Sequence, residues 1–398
     1  MKKTIKLALA ASMILGATSA FATNGTNLIG YGAKSRAMGG TGISNFNGAE
    51  SAFANPALIL NSKSNTEITI GATLLMPSVS FEADANANGN LASMVMPASN
   101  DNSTAGDGMI PSVAVINKVD DNMAWGMALY GVGGMGVDYR VDSPASAITG
   151  GSTNDNLMLM RMSIPLAYKV AGVSVAVAPV IEYGALSLDG VTTDIATGFE
   201  FGAAYEVAGV SLGLDYKSAV THDFKNTFNS DMSGGTQSKL DTPAVLGLGV
   251  SYAMGEHTVA VDYKSIAYSS AKGFEDFLWE DQTVIAIGYE YATDSWAARV
   301  GYNTGASPLV TDIAANGSNM NPIVGSLMMF PAVAETHITF GGTYNVSKTT
   351  SVDLAYMIAS GSATAATPDF TGAGGFGAGE ITATNDQTSI SFALNNAF

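Results

Sequence analysis

The side chains here with chemical potential are charged pairs spaced two apart. Asp215 with Lys217, and Asp262 with Lys264, set an acid and a base on one side of an extended stretch. By the same parity Arg161, Lys169, Glu290, Arg299 and Asp353 face that side. On an enclosed face such groups neutralise one another, and a base left over suits a ligand carboxylate. Lys217, Lys264 and Arg299 are the candidates for that contact. Other chemistries find no support. His222, His257 and His337 lie far apart without the H-x-x-x-H or H-E-x-x-H spacing of a metal site, and cysteine is absent. Gly131-Val132-Gly133-Gly134-Met135-Gly136 matches the dinucleotide fingerprint in letters, but no helix follows and no βαβ unit surrounds it. We expect no enzyme, no cofactor and no metal. An acidic chain of net charge −17 also lacks the basic footprint that nucleic acid requires.

The elements that carry these charges repeat with a period of two. Val210, Leu212, Leu214 and Tyr216 alternate with small or polar residues, as do Val259, Val261 and Tyr263, and Val352, Leu354, Tyr356 and Ile358. Each such strand has one apolar face and one polar face. Tight turns near 118–122, 170–172, 208–209, 254–257, 292–294 and 346–348 alternate with long Gly/Ser/Asn/Ala-rich loops near 83–107, 140–154, 188–196, 221–238, 269–278, 304–333 and 361–380. Short turns on one side and long loops on the other mark a membrane barrel rather than a sandwich. The expected wall is a transmembrane antiparallel β-barrel of fourteen strands: 65–82, 108–118, 123–139, 155–169, 173–187, 197–207, 210–220, 239–253, 257–268, 279–291, 295–303, 334–345, 349–360 and 381–398. The last strand ends on Phe398, as suits a closing strand presented to the outer-membrane assembly machinery.

Composition agrees. The chain is 47% hydrophobic and only 13% charged, yet no stretch offers the ~20 apolar residues of a membrane helix. Lys2, Lys3 and Lys6 precede an apolar run that ends at Ala20-Phe21-Ala22, the pattern of a secretory signal cleaved after Ala22. Residues 1–22 are then a signal peptide and 63–398 the barrel. Between them, 23–62 hold seven glycines and no alternation. Fourteen strands enclose a bore too wide for wall side chains to fill. The 23–62 segment is the expected plug.

Gly30-Tyr31-Gly32-Ala33-Lys34-Ser35-Arg36-Ala37-Met38-Gly39-Gly40-Thr41-Gly42, followed by Ala52-Phe53-Ala54-Asn55-Pro56-Ala57, resembles the N-terminal hatch of the FadL family. Ala124-Trp125-Gly126, Tyr216-Lys217-Ser218, Asp223-Phe224-Lys225 and Ser307-Pro308 follow in the family's order. The resemblance implies a monomeric outer-membrane barrel of fourteen strands that passively moves long-chain fatty acids or aromatic hydrocarbons. It implies capture at extracellular loops, binding in the lumen and sideways exit to lipid at a kink in the third strand. Mapped here, the kink falls within Met123–Gly136, and Trp125, Gly126, Gly131 and Gly133 are its candidate residues. Asn55, Pro56 and Ala57 form a rigid turn of the hatch, where Asn55 bonds local backbone and Pro56 fixes φ. The family's groove-forming third loop is short here, so we expect capture at Met94 and Met96 and at Leu327, Met328, Met329 and Phe330. The alternative is that the latter segment folds inward and packs on the hatch. A general porin for small polar solutes is the rival function, and it predicts an open bore.

Overall fold

The computed structural model describes residues 23–84, 101–139, 154–188, 190–225, 238–315, 321–369 and 377–398. The expected signal peptide, Met94 and Met96 lie outside these residues. The wall comprises β1 (Thr66–Ala83), β2 (Gly108–Lys118), β3 (Met123–Asp138), β4 (Asn154–Ser163, resuming at Leu166–Val170), β5 (Val173–Ser187), β6 (Val191–Val207) and β7 (Val210–Lys217). It continues with β8 (Val245–Met254), β9 (His257–Ile266), β10 (Gln282–Ala292), β11 (Trp296–Gly305), β12 (Thr336–Asn345), β13 (Thr350–Ser360, resuming at Ser362–Thr367) and β14 (Gly379–Ala397). Every strand pairs antiparallel with its neighbours, and β1 pairs with β14 from Glu67↔Ala397 to Ala83↔Ile381. The fourteen strands therefore close, as the turn pattern predicted.

Closure explains the alternation. Outward positions such as Ile70, Leu212, Val300, Phe340, Leu354 and Phe392 are exposed and apolar, while inward neighbours such as Thr73, Asp215, Asp262 and Asp353 are buried and polar. A wall that met water outside would not place its large apolar side chains there. Lys169 departs from the parity reading. It is exposed, because it lies at the turn end of β4 beside Ala171-Gly172, where the inner face opens to solvent.

Several strands differ from the expected limits: β7 stops at Lys217 and β8 starts at Val245 because 220–223 and 239–242 pair with each other, and two more differ for local reasons. Pro165 has no N–H, and β4 breaks at Ile164-Pro165; Gly126 N–H donates to the Pro165 carbonyl at 2.9 Å instead. β6 begins at Val191, so the third long-side connection is shorter than 188–196. The N-terminal segment forms α1 (Ala33–Ala37), α2 (Ser51–Ala54) and short 3₁₀ turns, and nearly all of it is buried. A helix α3 (Asn321–Met329) and a hairpin, Val220–Asp223 with Lys239–Thr242, occupy two of the long connections.

Candidate functional site: the seat of the N-terminal segment and the β3 window

The N-terminal segment reaches the wall through inward-facing glycines. A Cβ on Gly213 of β7 would collide with the Ile43 carbonyl, and one on Gly301 of β11 with the Gly39 backbone. These glycines let main chain lie directly on main chain. Polar groups then fix the register. Asp262 on β9 accepts from Gly42 N–H (2.8 Å) and Ile43 N–H (3.0 Å). Asn303 on β11 donates to the Gly39 carbonyl at 2.9 Å, and Thr339 on β12 accepts from Gly39 N–H at 2.9 Å.

The Asn-Pro-Ala turn is seated the same way. Asn55 caps its own turn by accepting from Ala57 N–H (3.0 Å) and donates to the carbonyls of Ile43 (2.7 Å) and Ala203 (3.1 Å). Gly202 of β6 gives it room, since a Cβ there would strike the Asn55 amide oxygen. Beyond β9, the Tyr268 hydroxyl accepts from Thr26 N–H at 2.7 Å and donates to the Asn24 carbonyl at 3.0 Å. Burial pushes this phenol up to about 12. Within the segment, Glu50 accepts from Ala33 N–H (3.0 Å) and Lys34 N–H (3.2 Å). Burial first, and the charge of Asp353 second, push its carboxyl up to about 7.

All three proposed carboxylate contacts are occupied within the protein. Lys217 Nζ bonds Asp215 at 2.5 Å and the Ala54 carbonyl at 3.1 Å. Lys264 Nζ donates to the Ile29 and Gly40 carbonyls, both at 2.9 Å. Arg299 pairs with Glu290 at 2.6 Å and donates to Thr343 at 2.7 Å. Lys217 and Lys264 border a cavity of about 40 Å³, room for water rather than an acyl chain.

A different arrangement holds at β3. Pairing with β2 runs from Lys118↔Ala124 to Ser112↔Tyr130 and stops. Gly108–Pro111 keep their partners on β1, whereas Gly131–Val137 turn to β4 with a register shift between Gly131 and Gly133. Contact resumes at Asp138, whose carbonyl accepts from Thr104 N–H at 2.7 Å. Inside this window the N-terminal segment supplies the missing partner: Leu28 N–H reaches the Val132 carbonyl at 3.4 Å, and Gly134 N–H donates to the Thr26 carbonyl at 3.0 Å. Met109, Met158 and Met160 with Leu28, Ile110 and Leu159 border a narrow apolar cleft there. Trp125 and Gly126 do not belong to the window. They lie where β2 and β3 pair regularly, and Trp125 faces outward at 45% exposure.

One inward step along the same strands, Met135 on β3 and Leu157 on β4 enter a second apolar cleft. Its other walls come from β5 (Leu186), the inturned hairpin (Leu240) and the long connections (Phe274, Phe277, Trp279, Phe330). At about 10 Å³ it is closed down by ring packing, with Phe277 and Phe330 edge to face at 5.5 Å and Phe274 and Trp279 at 4.7 Å. Here the structure corrects the expected exposed capture surface. Leu327 (0%), Met328 (4%) and Phe330 (7%) are buried and Met329 is half-buried, because α3 is apolar on all sides and packs on the Phe274–Trp279 connection and β14. Trp279 Nε1 donates to Ser326 Oγ at 3.0 Å and ties the two connections together.

The inturned hairpin was not foreseen. His222 Nε2 lies 3.1 Å from Glu182 on β5, and Thr242 donates to the same carboxylate. Arg161 on β4 pairs with Glu182 (2.6 Å) and Glu200 (3.2 Å), and Tyr130, next to the window, donates to Glu200 at 3.0 Å. Inward parity flagged Arg161 and the lone His222 was seen, but their partners lie on other strands.

A closed antiparallel barrel with an apolar outer face is the architecture of an outer-membrane protein; among the described residues no helix is long and apolar enough to cross a membrane. Residues 8–194 match the family described as outer membrane protein transport protein (OMPP1/FadL/TodX). The resemblance to the FadL family seen in the sequence is thus met by a family match over the first part of the chain. The same fold recurs in the Pseudomonas putida toluene transporter TodX (17% identity, TM-score 0.68, covering 94% of this chain and 99% of that one). A Pseudomonas aeruginosa FadL homologue (14%, 0.70, 94% and 100%) and the Ralstonia pickettii toluene transporter TbuX (17%, 0.64, 94% and 99%) share it too. An 82-residue stretch is 48% identical to an uncharacterised Chlorobium limicola protein from the 5′ region of the phosphoenolpyruvate carboxykinase gene, and spans 20% of this chain and 40% of that relative.

Proposed function

We propose that this protein passively carries hydrophobic molecules across the outer membrane, with residues 23–62 as its hatch, the aromatic cleft as its binding site and the β3 window as a sideways exit to lipid. The observation that carries the reading is the adjacency of the two clefts: Gly133 and Leu159 border the window cleft, and Met135 and Leu157, one inward step away on the same strands, border the aromatic cleft. A ligand moving between them stays among apolar side chains and avoids re-entering water, which costs about 0.8 kcal/mol per CH₂. Leu327, Met328, Met329 and Phe330 then act as a lid over the binding site rather than as an exposed catching surface. Asn55, Pro56 and Ala57 hold the hatch. The protein works as a monomer, and β14 with Phe398 is the strand handed to the assembly machinery.

Deleting Val132 tests the exit. It removes the extra residue of the bulge, so that β3 can pair in one register with both neighbours. Uptake of an apolar probe by cells with normal surface levels should fall to that of cells lacking the protein. Undiminished uptake would remove the window from the mechanism.

A further inference from the structure

We propose that the aromatic cleft selects uncharged hydrophobic molecules and rejects carboxylate anions. The inference rests on the binding site described under Proposed function and names its ligand class. Acidic groups surround this cleft on several elements. Glu275 and Asp276 lie between the lining residues Phe274 and Phe277, and Glu280 and Asp281 follow Trp279 directly. Deeper, Asp155 occupies the next inward position of β4 beyond Leu157 and is 1% exposed; Oδ1 accepts from Val137 N–H at 2.9 Å, and Oδ2 has no partner. Asp241 adjoins the lining Leu240, is 6% exposed, and likewise has one oxygen bonded, to Lys272 N–H at 3.0 Å, and one without a partner.

Lys239 and Lys272, which flank the lining Leu240 and Phe274, are exposed to solvent outside the cleft, and the inward basic side chains are committed elsewhere. Arg161, Lys217 and Arg299 each hold an acidic partner, and Lys264 donates to two carbonyls. Arg36 is buried with two guanidinium nitrogens unpartnered, but α1 packs on β11, β12 and β13, across the barrel from β3–β5. A carboxylate entering the cleft would lose its hydration with no cation among the lining residues to offset it, whereas an alcohol or hydrocarbon of the same shape would not.

Trp279 lines the cleft and reports on it. In the full chain in lipid nanodiscs, with Trp125 and Trp296 replaced by Phe, quenching of Trp279 by 4-bromobenzyl alcohol and by 4-bromobenzoate at pH 7 gives matched affinities. We expect the alcohol to bind at least about tenfold more tightly. Asp241→Asn should strengthen the carboxylate and leave the alcohol unchanged; should that variant not assemble, Asp276→Asn at the rim should act in the same direction. Equal affinities, or a preference for the carboxylate, would overturn the inference while leaving the binding site in place. Absence of quenching by either compound would overturn the binding site itself, and this inference with it.

Discussion

The N-terminal segment meets the barrel in two unlike ways. Against β6–β12 it is fastened: backbone lies on inward glycines, and Asp262, Asn303, Thr339 and the Asn55 turn fix its register. Within the β3 window its hydrogen bonds are main-chain ones at Thr26–Leu28, beside a stretch of wall that has lost its β2 partner, while outside the window Tyr31 and Phe53 pack on Tyr130. Breaking the first contact means breaking many bonds at once, several of them to charged groups. Breaking the second costs a few exchangeable main-chain bonds. An interface built this way lets one edge open while the body of the segment stays in place.

The largest expected effect comes from removing residues 24–62, which leaves the bore unfilled. The variant should show a steady open-channel conductance in planar bilayers, while the intact protein should not; a silent variant would mean that other parts of the chain block the bore. Next, Gly213→Val drives a side chain into the Ile43 carbonyl. Overpacking of this kind costs about 1–3 kcal/mol or more, read as faster hydrogen exchange at Gly39–Ile43 and as early loss of the folded band on heated gels. Asp262→Asn should weaken the same seat by about 1–2 kcal/mol, because a charged acceptor for two N–H groups becomes neutral. The same substitution should leave exchange at Gly133 and Gly134 unaltered, and a change there would erase the distinction between the two contacts.

A smaller effect follows pH. With the folded Glu50 carboxyl raised to about 7 from its ordinary 4.5, the folded state holds the proton more tightly. Its contribution is complete below about 4.5 and is lost as pH rises through about 7. Protection of the Ala33 and Lys34 amides should therefore decline over that window, and Glu50→Gln should flatten the decline. The smallest effect is Ser326→Ala, which leaves Trp279 Nε1 without its acceptor; about 1 kcal/mol and a shift in Trp279 emission are expected, with the window unaffected.

Much of the wall was legible because lipid outside and polar groups inside impose strict alternation. β3, β5 and β9 fell within a few residues of their expected limits for that reason. Less legible was whatever lacked a period of two. Asn321–Met329 falls in a loop by the period of two, although Pro322 at the second helical position is a start signal; its apolar surround reflects burial beneath the connections rather than exposure. The break at Pro165 was also visible in principle, since an internal proline forfeits a ladder bond. For the site, parity put Lys217, Lys264 and Arg299 on the correct face. What neutralises them comes from residues as distant as Ile29 and Glu290, and spacing along one strand carries no trace of that. The glycines at 202, 213 and 301 share the inward parity, so a run of them on several strands was the signal that the N-terminal segment docks there.

The seam between β1 and β14 sets a sequence of events in assembly. It joins the two ends of the wall, and residues 23–62 lie within the circle that it completes. The barrel must therefore be wrapped around its contents, like a cooper's staves drawn together over something already laid inside. Synthesised as a separate peptide, the N-terminal segment should not find its place in a barrel that has already closed.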